Sequence, residues 1–141
     1  MYYSMLAEAL LSLGEIEQAR LSLAEAWSRA QAQRERWCVA EILRIEGLID
    51  LRWGDAKAAE RSLVRALHEA RQIGALSLEL RAALALSDKW ATDGKDEDSR
   101  KLLNATLAKF EEDFGSADLV EARARLDRFR KAKAPAEAVR A

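Results

Sequence analysis

At 141 residues the chain has the size of one domain, with half its residues hydrophobic, a third charged and a formal net charge of −1. Such a balance excludes an overall field that draws nucleic acid or an anionic membrane surface. No apolar run approaches the ~20 residues that span a bilayer, and a single cysteine, Cys38, excludes an internal disulfide and points to a reducing compartment, with the cytoplasm as the expected location.

The chain opens with MYYSMLAEALLSLGE, which lacks a basic leading segment and is interrupted by Glu8. It reads as a first helix, about Tyr3 to Leu13, and not as a signal peptide. A second helix is expected from Glu15 to about Ala32, after which AQRERW turns the chain. The third runs from about Trp37 to Trp53, and Asp55 opens a fourth that ends near Ile73, where Gly74 marks the stop. The fifth covers Leu76 to Thr92 and the sixth Asp96 to about Asp113. Gly115 breaks the chain, Ser116 is placed to cap, and a last helix carries Leu119, Ala122, Leu126 and Phe129 on one side as far as Lys131. The rest, AKAPAEAVRA, holds the only proline and is expected to be a disordered tail from 132 to 141. Arg128, Arg130, Lys131 and Lys133 form the only basic cluster, which suits a helix C-terminus. No alternating strand pattern appears.

Gly14, Gly54 and Gly94 fall 40 residues apart. Seven residues before each stands a small residue: Ala7, Gly47, Ser87. Five after stands another: Ala19, Ala59, Ser99. Nine after comes Leu23, Leu63, Leu103, and twelve after comes Ala26, Ala66, Thr106. These offsets step by three and four, one face of an α-helix. Small residues let helices approach closely and large ones fill the space beside them. Each unit therefore reads as helix, glycine turn, helix, and the spacing predicts an all-α solenoid of three helix pairs, about 2–35, 36–74 and 75–113, closed by a cap at 116–131. The third and fifth helices are apolar on more than one face, as inner layers should be. The first helix is similarly apolar, through Tyr2, Tyr3, Met5, Leu6, Leu10 and Leu13, with nothing before it to cover it. The expectation is that the protein continues upstream as a longer solenoid or forms a homodimer through this N-terminal face.

GDAKAAERSLVRALHEA is similar to the second half of a tetratricopeptide repeat. The usual unit has about 34 residues; this one is longer and lacks the closing proline. RERWCVAEILRIEGLIDLRWGD, ARQIGALSLELRAALALSDKW and FEEDFGSADLVEARARLDRF resemble the C-terminal helical region of bacterial multidomain regulators that carry an adenylate/guanylate cyclase or DNA-binding domain and a P-loop ATPase module. The resemblance covers nearly all of Leu6 to Phe129. Its specific parts are Glu35–Arg36–Trp37, the Gly54–Asp55 turn and the segment from Phe114 to Asp127. It implies a right-handed solenoid of antiparallel pairs, and a protein-binding or sensing role in signal transduction, with catalysis upstream. The GxxxxGK[ST] loop and a cyclase aspartate pair are missing from this chain.

Chemistry within the chain is sparse, and no enzyme, cofactor or metal site is expected. His68 falls opposite Leu63, Ala66 and Ala70 and reads as solvent-facing, with no second ligand nearby. Cys38, on an apolar helix, reads as a buried thiol. Glu111, Glu112 and Asp113 read as a solvated carboxylate run, and Asp93, Asp96, Glu97 and Asp98 lack the calcium-loop pattern. The tryptophans at 27, 37, 53 and 90 read as core packing.

A groove remains. Carried over from the tetratricopeptide arrangement, its inward-facing residues are Ser4, Glu8 and Leu11, then Glu41, Arg44, Leu48 and Arg52, then Arg81, Leu84, Asp88 and Thr92. Arg44 and Arg81 occupy equivalent positions and admit two readings. They grip a carboxylate on a peptide or small ligand, or they pair with Glu41, Glu8 or Asp88 and solvate the groove. Glu8, Glu41, Arg44, Arg52, Arg81 and Asp88 are thus the candidate partner-binding residues, for a protein or peptide partner, with a small-molecule sensor as the alternative.

Overall fold

The computed structural model describes residues 2–33, 36–110 and 115–138. Among them are seven helices and no strand: α1 (Tyr2–Ser12), α2 (Ile16–Gln33), α3 (Arg36–Trp53), α4 (Ala56–Gln72), α5 (Leu76–Thr92), α6 (Asp96–Leu107) and α7 (Ala117–Ala138). The fold is all-α. Among the described residues no helix is long and apolar enough to cross a membrane.

Four glycine turns set the chain reversals. Gly14, Gly54, Gly74 and Gly94 all have φ between 66° and 94°, a region that glycine enters without a Cβ penalty. Beyond each glycine the next amide reaches back five residues: Glu15 N–H to Leu10 O at 2.9 Å, Asp55 to Asp50 at 2.9 Å, Ala75 to Ala70 at 3.0 Å and Lys95 to Trp90 at 2.8 Å. These bonds satisfy carbonyls that the helix end would leave unpaired. The Asp55 carboxylate then accepts from Ala58 N–H at 2.9 Å and caps α4.

Each helix packs on its neighbours in sequence, and α1 also meets α3, α3 meets α5, and α5 meets α7. The odd-numbered helices therefore line one layer. The even-numbered helices pack on the other side, and among the described residues no close backbone approach joins α2 to α4 or α4 to α6. Helix α3 serves two cores. Ile42, Ile45 and Ile49 pack with Ala7, Leu23 and Ala26, whereas Leu43 packs with Leu63, Leu80, Leu86, Leu103 and Leu119. Two-sided burial is the physical reason for its apolar sequence.

The small residues sit where helices touch. A Cβ on Gly47 would stand 2.6 Å from Leu63 Cγ and 3.1 Å from Ala59 O. Ser99 Oγ donates to Ser87 O at 3.1 Å, and both serines are buried. Ala7 and Ala19 are fully buried in one core.

Helix ends differ from expectation in two places. Helix α6 stops at Leu107, short of Asp113. Lys109 Nζ is tied to Glu79 Oε1 on α5 at 2.6 Å, and Phe110 packs against the core, so the chain is drawn back across α5. Helix α7 runs to Ala138, past the expected end at Lys131 and through Pro135; the alanines, the lysine and the glutamate of this segment favour helix. Ser116 does cap it, accepting from Leu119 N–H at 3.3 Å. The carboxylate run 111–113, and the Glu35 and Phe114 positions of the resemblance, lie outside the described residues.

Candidate functional site

Each odd-numbered helix turns one polar strip toward a shared groove, at spacings of three, four and seven residues: Ser4 and Glu8 on α1, Glu41, Arg44 and Leu48 on α3, Arg81, Leu84 and Asp88 on α5, Asp118, Glu121 and Arg125 on α7. Other faces of the same helices fill the cores described above, and Leu48 and Leu84 border both groove and core.

The floor is an ion-pair network that spans three helices. Arg44 donates to both oxygens of Glu41, Nε to Oε2 at 2.9 Å and Nη2 to Oε1 at 2.8 Å, and Nη2 also reaches Glu8 Oε1 at 2.6 Å. Arg81 Nη1 donates to Glu41 Oε1 at 2.5 Å, and Nη2 reaches Glu8 Oε2 at 3.2 Å. Arg44 and Glu41 are buried, whereas Glu8 and Arg81 each keep about a third of their side chains exposed. Burial alone would raise the Glu8 carboxyl. Hydrogen bonds and charge from Arg44, then Arg81, outweigh it and hold Glu8 below its ordinary value. Burial likewise opposes the Arg44 charge, and Glu41 and Glu8 overcome it, so this guanidinium stays protonated throughout.

Arg44 and Arg81 therefore meet Glu41 and Glu8 and are already satisfied within the chain, which is the second of the two readings given above. Asp88 pairs instead with Arg125 of α7, which also donates to Glu121 at 2.5 Å and to Leu84 O at 3.0 Å. Arg52 lies exposed in the last turn of α3 and lines neither of the cavities described next.

Two cavities flank the network and share Glu8 and Arg81. One, of about 410 Å³, opens between α1, α3 and α5 and is walled by Met5, Ala9, Trp37 and Leu78. The other, of about 240 Å³, lies toward α7 and is lined by Leu48, Leu84, Asp88, Asp118, Glu121 and Arg125. Trp37 is 43% exposed, which corrects its assignment to the core. Trp53 is likewise 53% exposed, with Arg20 stacked 4.9 Å from its ring centroid. Trp27 and Trp90 do pack against the core. Helical spacing identifies a face, and only the neighbouring helix decides whether that face is covered.

Sequence reasoning missed Asp118, Glu121 and Arg125. Their spacing, on a face of α7 adjacent to that of Leu119, Ala122 and Leu126, is the signal that finds them. His68 is exposed and Cys38 buried. Among the described residues no three His, Cys, Asp or Glu side chains gather to hold a metal ion. A second buried carboxylate, Glu79, is clamped by Arg71 at 2.7 Å and Lys109 at 2.6 Å and fastens α4 and the segment after α6 to α5.

No protein-family model matches this chain, and no curated protein matches it at a significant level.

Proposed function

We propose that this chain is a non-catalytic protein-interaction module that takes an extended peptide segment along the groove of its odd-numbered helices. In this reading it is a right-handed, tetratricopeptide-like solenoid of three 40-residue helix pairs with a capping helix, and it serves as the regulatory repeat region of a bacterial signalling protein, a cyclase or ATPase regulator. The observation that carries the proposal is the pair of cavities joined across Glu8 and Arg81. A continuous trough with an apolar, aromatic-walled pocket suits side chains presented by a peptide. The matching glycines at 14, 54 and 94, and the small residues packed at Gly47, Ser87 and Ser99, support the repeat reading.

The test is selection of a phage-displayed 12-residue library against the chain, with binders mapped by amide chemical-shift changes. Enriched peptides should perturb α1, α3 and α5 around Met5, Trp37 and Leu78. No enrichment, or changes confined to α2, α4 and α6, refutes the proposal. A small-molecule sensor is the second reading, favoured by the volume near 410 Å³ of the larger cavity. A thermal-shift screen with metabolites and nucleotides separates the two.

A further inference from the structure

Charge is not spread evenly along the groove. Five carboxylates and three guanidiniums line the two cavities, so the groove carries two net negative charges. At the α1–α3–α5 end, Glu8 and Glu41 are matched by Arg44 and Arg81 and the floor is neutral. The excess therefore sits at the α5–α7 end, where Asp88, Asp118 and Glu121 line the cavity with Arg125, and the charge of Arg128, outside the lining, reaches Asp88 and offsets only part of it. Asp118 enters no ion pair among the described residues. The other end is apolar, through Met5, Ala9, Trp37 and Leu78.

From this asymmetry we infer that the occupant is a basic peptide that places an apolar or aromatic side chain in the larger cavity and a lysine or arginine against Asp118 and Glu121. The inference rests on the peptide-groove reading above and adds the partner's chemistry to it. Leu78 and Asp88, which mark the two ends on α5, are ten residues apart, about 15 Å at a rise of ~1.5 Å per residue. An extended peptide covers that distance in about four or five residues at ~3.3 Å each. The basic residue thus falls up to five positions from the apolar anchor. Charged side chains at this end govern partner choice and association rate more than total affinity. An acidic peptide meets the same end with like charge and is rejected.

The probe is a soluble peptide library with phenylalanine fixed at one position and all residues varied at the six positions on either side. It is run against the full chain, Asp118→Asn/Glu121→Gln, and Ala9→Trp, each checked for native helicity and unfolding midpoint. The wild type should enrich lysine and arginine two to five positions from the phenylalanine on one side only. The double variant should lose that enrichment and bind a selected basic peptide about tenfold more weakly in 50 mM salt, with a smaller gap in 500 mM salt. Ala9→Trp, which fills the larger cavity, should bind no selected peptide. Groove binding without basic enrichment, or with acidic enrichment, overturns the inference and leaves the peptide-groove reading standing. If no peptide perturbs the groove at all, both fall.

Discussion

Glycine 47 offers a test in which two physical arguments give opposite signs. It lies inside α3, where replacing glycine with alanine ordinarily stabilises a helix by about 1 kcal/mol through backbone entropy. Packing opposes this. The added methyl would stand 2.6 Å from Leu63 Cγ, 2.9 Å from Leu63 Cδ2 and 3.1 Å from Ala59 O, against a comfortable carbon contact of about 3.5–4.0 Å. Leu63 is fully buried and Ala59 O is backbone of α4, so neither neighbour yields easily. Overpacking of this kind costs roughly 1–3 kcal/mol, and the upper end applies where three atoms overlap. Gly47→Ala should therefore destabilise by about 2 kcal/mol net, or roughly 6–8 °C in midpoint for a domain of this size. Urea unfolding followed by circular dichroism measures it. Leu63→Ala alone should lose about 2–5 kcal/mol. The double variant should lose less than the sum by at least about 1 kcal/mol, because the smaller side chain admits the methyl. Gly54→Ala is the control: nothing lies within 4 Å of its added Cβ, yet φ is +94°, so it should lose about 1–2 kcal/mol with no coupling to Leu63. A stabilised Gly47→Ala, or additive losses in the double variant, would refute the close-contact argument.

Arg44→Met should destabilise by about 3 kcal/mol in urea, since Glu41 stays buried with only Arg81 to meet it and Glu8 loses its shorter partner. Glu8 and Glu79 are both held below their ordinary value of 4.5; their stabilising contribution is complete above that value and is lost as pH falls through the lower folded-state values. Unfolding free energy should thus decline below about pH 4.5, and Glu79→Gln should flatten that acid limb; an unchanged limb counts against the clamp. Glu46 has the opposite sign: burial, then Asp50, raises its carboxyl, so its charged form opposes folding at neutral pH. Glu46→Gln should raise the urea midpoint at pH 7 and leave it unchanged well below the ordinary carboxylate value.

Much of the helical layout could be read from the chain because it is encoded locally. Helix α5 begins and ends at Leu76 and Thr92, as spacing and the flanking glycines predict. The glycine turns work through backbone conformation and bonds that reach only five residues back, so a short window of sequence contains their cause. The end of α6 was not legible for the opposite reason. It is set with Lys109 bound to Glu79, 30 residues away, and nothing near Leu107 in the sequence announces that tie. The exposure of Trp37 and Trp53 was hidden similarly. A helical period says that two residues share a face, but coverage depends on where another helix ends.

The groove divides along the same line. That Glu8, Glu41, Arg44 and Arg81 share a surface followed from the tetratricopeptide positions they match. Which of them pair did not, because Glu8 and Arg81 are 73 residues apart. The outcome bears on selectivity. A guanidinium bonded to two carboxylates has little left to offer a ligand carboxylate, since breaking those buried bonds would strand Glu41. The ion network thus works against acidic partners at the centre of the groove while it locks α1, α3 and α5 together. Discrimination moves to the ends, where an apolar pocket beside Trp37 and a surplus of carboxylate over guanidinium beside α7 remain open to whatever enters.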